Sequence, residues 1–126
     1  MNDQTIEQEI VAKGKTAARV TPADIEANIV SEHYFTAREG RMGAIDCETY
    51  VGREKPMPDN SDLTPLDLLT FCVLVLRNGF TVTGESACAS PENFDAEIGR
   101  KIARQNAVQK IWPLMGYELR SKLAGD

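Results

Sequence analysis

Leu68-Leu69-Thr70-Phe71-Cys72-Val73-Leu74-Val75-Leu76-Arg77-Asn78-Gly79-Phe80-Thr81-Val82-Thr83-Gly84-Glu85 is the stretch from which the fold is read. Two runs of β-branched and aromatic residues flank Asn78-Gly79. Asn-Gly takes the positive φ angles of a two-residue type I′ turn at little cost, so the reading is a hairpin with Arg77 facing Phe80 and Val75 facing Val82. That register puts Phe71, Val73 and Val75 with Phe80 and Val82 on the core side. Leu74 and Leu76 then lie beside Thr81 and Thr83 on the other side. A first strand that is apolar on both faces is either central or covered by a second copy, which makes Leu74 and Leu76 the expected homo-oligomer interface.

Downstream, Ser90-Pro91-Glu92-Asn93 reads as the start of the main helix: Ser90 as cap, Pro91 at the first position, and Glu92, Asp95 and Glu97 near the positive end. At 100° per residue, Phe94, Ile98 and Ile102 form one apolar stripe. Gly99, Ala103 and Ala107 form an adjacent stripe small enough for a strand or helix to approach closely. Arg100 and Arg104 share the opposite flank, and Asn106 falls on the buried side, where satisfying a backbone carbonyl is its expected role. The phase breaks after Gln109, and Trp112-Pro113 reads as the end of one helix and the start of another, whose apolar side is Leu114, Tyr117, Leu119 and Leu123.

Upstream, Ile6, Ile10 and Val11 give Thr5 to Lys13 a helical spacing that stops at Gly14. Thr21-Pro22-Ala23-Asp24 is a capping box opening a short helix to about Val30. Glu32 to Thr36 and Ile45 to Val51 read as a second hairpin, through alternation of Ile45, Cys47, Thr49 and Val51 with Asp46, Glu48 and Tyr50. Gly52 to Pro65 is a long loop. The expected architecture is α+β: a small antiparallel sheet of two hairpins packed against a long C-terminal helix pair and short N-terminal helices. It forms one domain over residues 1–126, with residues 1–20 a helical extension and 52–65 the long loop.

A length of 126 residues, 42% of them hydrophobic and 26% charged, suits a single globular core. The longest apolar run, Phe71 to Leu76, is far short of the roughly 20 residues that span a bilayer, and the acidic, polar start is unlike a signal peptide. The expected setting is a reducing compartment inside a cell, with Cys47, Cys72 and Cys88 reduced. A net charge of −5 argues against general nucleic-acid affinity, although acids crowd the first half and Arg100, Lys101, Arg104, Lys110, Arg120 and Lys122 the last third.

The run Asn78 to Ser86 (Asn-Gly-Phe-Thr-Val-Thr-Gly-Glu-Ser) is followed by Phe94-Asp95-Ala96-Glu97-Ile98-Gly99-Arg100-Lys101-Ile102-Ala103-Arg104, Asn106-Ala107, Lys110-Ile111-Trp112-Pro113-Leu114 and Gly116-Tyr117. Together they resemble the gp-forty-nine and gene-sixty-six family of small tailed-phage and prophage proteins. The resemblance is strong over about residues 64 to 123 and weaker over Thr21 to Gly40. It implies phage origin and expression inside a bacterium, and it carries over no catalytic residue.

The residues themselves offer no paired carboxylates, phosphate loop or nucleophile elbow, so no catalytic residue and no cofactor is expected. His33 is the single histidine, and no cysteine stands at ligand spacing to it, so no metal site is expected either. Cys88, near a helix start, lacks a nearby general base. The best candidate ligand site is Arg100, Lys101, Arg104, Lys110, Trp112 and Tyr117, where guanidinium forks suit phosphate and aromatic faces suit a base. The functional expectation is a non-catalytic phage protein acting by binding, in counter-defence or host takeover, with a nucleotide or another anionic small molecule as partner. The alternatives are a host protein contacted through the acidic half, or nucleic acid during phage replication.

Overall fold

The structure, a computed structural model describing residues 2–15, 17–48 and 52–125, begins with two helices. They are α1 (Asp3–Ala12), capped by the Asn2 side chain, and α2 (Pro22–Asn28). The capping box expected at Thr21 is present: its hydroxyl accepts from the Asp24 N–H at 3.1 Å, and the Asp24 carboxylate accepts from the Thr21 N–H at 2.9 Å. Hydrogen bonding from the Thr21 N–H, and then from its hydroxyl, holds the Asp24 carboxyl below its ordinary range. Next come β1 (Ile29–Thr36), α3 (Ala37–Cys47), the single turn α4 (Leu63–Leu66), β2 (Leu69–Leu76), β3 (Thr81–Ala87) and α5 (Ala96–Leu123). The class is α+β. One antiparallel sheet, ordered β1-β2-β3, lies under α5.

Several local expectations are corrected. The second hairpin is absent from the described residues: β1 pairs with β2, and the chain then enters α3. Thr36 starts that helix by accepting from the Glu39 N–H at 3.1 Å while Glu39 accepts from the Thr36 N–H at 2.8 Å, a capping box that outweighs the strand-like alternation after Ile45. The rest of that expected strand, residues 49–51, lies outside the described residues.

The Asn-Gly hairpin forms with a different turn. Only Gly79 has a positive φ, at 89°, so the type I′ geometry is not made. The Gly79 N–H donates to Leu76 O at 2.9 Å and the Leu76 N–H to Phe80 O at 2.8 Å, closing a loop of Arg77, Asn78 and Gly79. Val75 therefore pairs with Thr81 and Leu74 with Val82. This one-residue shift exchanges the faces. Cys72, Leu74, Leu76 and Val82 form the core with Ile25, Ala103, Ala107, Val108 and Ile111, while Phe71, Val73 and Val75 are half-buried on the other face. Leu74 and Leu76, expected at an oligomer interface, are sealed beneath α5 at 0% and 4% exposure.

At the C-terminal end, Asp95 and not Ser90 caps the main helix, accepting from the Ile98 N–H at 3.0 Å, and Pro91–Asn93 is a short 3₁₀ turn before it. The expected helix pair is one 28-residue helix running through Pro113. Pro113 has no N–H, so the helix forgoes one hydrogen bond, to the carbonyl of residue 109. Packing at Val108, Ile111 and Met115 holds both sides in line. The small-residue stripe performs as expected: it receives Gly84, where an added Cβ would sit 2.9 Å from Ala107 Cα and closer still to Ala103 O and Ala107 N. Ile98 and Ile102, read as an apolar contact stripe, point outward instead.

Candidate functional site

The six cations and aromatics proposed from the sequence do not form one site. Arg104 turns inward to a clasp joining α2, β1 and α5. Its guanidinium meets Glu26 at 2.8 Å and Glu32 at 3.2 Å, and Glu32 also accepts from the Tyr34 hydroxyl at 2.7 Å. The Tyr34 and Arg104 bonds hold the Glu32 carboxyl below its usual range. Burial, followed by that bond, pushes the Tyr34 hydroxyl up, and burial likewise raises the Cys72 thiol beside it. Arg104 is thereby committed to the fold.

Lys101 pairs with Glu97 one turn back at 3.3 Å. Trp112 faces α1, its indole N–H donating to Asp3 at 3.0 Å. Asn106 satisfies a backbone carbonyl as expected, donating to Glu85 O at 2.8 Å on the outer edge of β3, but it is exposed and not on the buried side of the helix. Arg100 makes no ion pair among the described residues and borders a hollow of about 310 Å³ with Tyr34, Phe35, Thr70 and Phe94. Ten residues further along α5, about 15 Å away, lies a different hollow.

That second hollow, of about 470 Å³, lies between β3 and the C-terminal half of α5 and unites two of the six, Lys110 and Tyr117. Seven residues separate them, two helical turns, so they share a side. Phe80, Thr81, Val82, Thr83, Pro113 and Leu114 complete the walls. The Lys110 ammonium lies 3.5 Å from the Thr83 hydroxyl and has no acid partner among the described residues. Further along the hollow, towards the Gly79 turn, stand aromatic rings with much of their surface in water, Phe80 at 56% and Tyr117 at 78% exposure. Phe80 was assigned to the core in the sequence reading; its place directly after Gly79, at the mouth of a longer loop, is the signal for its exposure. A cation at one end of a hollow with open aromatic faces towards the other can hold an anion by charge and an attached flat ring by stacking.

The chain matches the Phage protein (N4 Gp49/phage Sf6 gene 66) family over residues 20–123. It belongs to that family. The matched part holds β1 to β3 and α5, including both hollows, and leaves out α1. Comparison with curated proteins and with solved structures gives no match. Among the described residues no group of His, Cys, Asp and Glu is arranged to hold a metal ion, and no helix is long and apolar enough to cross a membrane. Cys47, Cys72 and Cys88 are unpaired, and the Cys88 thiol donates to Ser90 O at 3.1 Å.

Proposed function

We propose that this family member is a non-catalytic accessory protein acting by binding in the cytoplasm of an infected bacterium, in counter-defence or host takeover. Its ligand in this reading is a phosphate-bearing aromatic small molecule such as a nucleotide signal, taken up between β3 and α5. One observation carries the proposal: Lys110, which makes no ion pair among the described residues, shares one hollow with the exposed rings of Phe80 and Tyr117. The volume falls within the range of small-molecule sites. Loss of one stacking face costs about 1–3 kcal/mol, so Tyr117→Ala should weaken binding roughly tenfold or more. Isothermal titration against cyclic and linear nucleotides is the test, with Tyr117→Ala and Lys110→Ala as comparators. Absence of heat with every nucleotide refutes the ligand class.

A second reading, contact with a host protein or a second copy, is favoured by the sheet face turned away from α5. There Phe71, Val73 and Val75 are half-buried beside Phe35, whose ring lies 5.7 Å from that of Phe71. Light scattering and affinity purification from infected cells, each repeated with Val73→Asp, test it. A monomer that recovers no stoichiometric partner removes this reading.

A further inference from the structure

The N-terminal helix is seated on the rest of the protein in an unusual way. None of the ten residues of α1 is buried. A hollow of about 200 Å³ remains between Ile6 and Ile10 on α1 and Val20, Pro22 and Trp112 beneath them. The polar ties are few. Asp3 accepts from the Trp112 indole at 3.0 Å and from the Gln109 amide at 3.4 Å. The other strong contact, a two-pronged pair between Glu7 and Arg19, fastens α1 to its own connecting segment. The family match begins at residue 20, so α1 and Arg19 lie outside the shared part, while Val20, Pro22, Gln109 and Trp112 of the groove lie inside. An isolated helix of this length is marginal in water, so α1 gains its order from the groove.

We propose that the groove between α2 and the middle of α5 is a docking site for a partner's short acidic amphipathic helix, and that α1 is a resident occupant the partner displaces. The seated helix displays the chemistry required: Asp-x-x-Ile-Glu-x-x-Ile, read at Asp3, Ile6, Glu7 and Ile10. The first carboxylate takes the indole N–H, the second meets Arg19, and the paired isoleucines one turn apart cover Trp112, Val20 and Pro22. Tethering gives α1 a millimolar effective concentration, so a free helix succeeds by filling the hollow that α1 leaves.

Trp112 is the single tryptophan, so its indole N–H resonance reports on the groove alone. In the full chain, hydrogen exchange should be roughly 100-fold or more faster in α1 than in the middle of α5. In a full chain carrying Ile6→Asp and Ile10→Asp, the indole resonance should move. A synthetic peptide of residues 2–15, added to millimolar concentration, should return it towards the wild-type position while shifting wild-type protein far less. The proposal is overturned if α1 exchanges as slowly as α5, if the double variant loses its fold (which would make α1 part of the core), or if the folded variant ignores the peptide.

Discussion

Gly84 is the point at which α5 touches the sheet, and Gly84→Ala measures how rigid that contact is. The added methyl would lie 2.9 Å from Ala107 Cα and nearer to Ala103 O and Ala107 N, all of them helix backbone. Carbon atoms settle at about 3.5–4.0 Å, so the strand and helix must separate by well over half an ångström. No side chain can rotate away to make room. Ala103, Ala107 and Ile111 are fully buried in the same seam, so the separation would loosen contacts along several turns. Overpacking of this kind costs about 1–3 kcal/mol, and backbone on both sides puts this case at the top of that range. At this chain length about 3 kcal/mol lowers Tm by roughly 12 °C. Thermal and urea unfolding followed by circular dichroism and Trp112 emission gives the value. Gly116→Ala is the control: a Cβ there meets nothing within 4 Å, and the swap should stabilise the helix by about 0.5–1 kcal/mol. If Gly84→Ala stays within about 0.5 kcal/mol of wild type, the close crossing described for α5 is wrong.

Leu74→Asp should abolish folding, because it places a charge in a fully buried site beneath α5, whereas Val73→Asp on the opposite face should leave the circular dichroism spectrum unchanged; equal damage from both would contradict the register. The Glu32 carboxyl is held low, so its stabilising effect is present above the ordinary glutamate value of 4.5 and is lost as pH falls through the folded value. Arg104→Met should therefore reduce the loss of stability on acidification below about pH 4.5, and an unaltered acid limb in urea titrations would show that the clasp contributes nothing. Pro113→Ala should raise stability by about 1–3 kcal/mol, since it restores a hydrogen bond inside a continuous helix; a decrease in Tm would mean that the proline shapes α5 to the sheet.

The contrast between what could and could not be read from the chain has identifiable physical causes. Local signals survived. The Thr21 capping box and the Gly99, Ala103, Ala107 stripe depend on residues within a turn or two of one another, and both formed as expected. The hairpin register failed because β2 is apolar at nearly every position, so alternation could not distinguish its faces and turn chemistry alone decided. The information needed was present elsewhere: a stripe of small residues on a helix requires a small residue on the strand it meets, and Gly84 is the only glycine in β3. Matching Gly84 to the stripe puts Val82 on the same side, and with it Cys72 and Leu74 across the ladder.

The same slip explains the candidate site. Lys110 and Tyr117 were named for their chemistry alone, and two helical turns align them because α5 is continuous through Pro113, but Phe80 was assigned to the core by a register one residue out, so the third ring-side residue of their hollow was missed. Arg104 was misread for a different reason: its acids, Glu26 and Glu32, lie 78 and 72 residues away, beyond any local pattern. A cation's availability is a property of tertiary structure. Composition counts charges, and only the fold shows that Arg104 is engaged with its own acids while Lys110 makes no ion pair among the described residues.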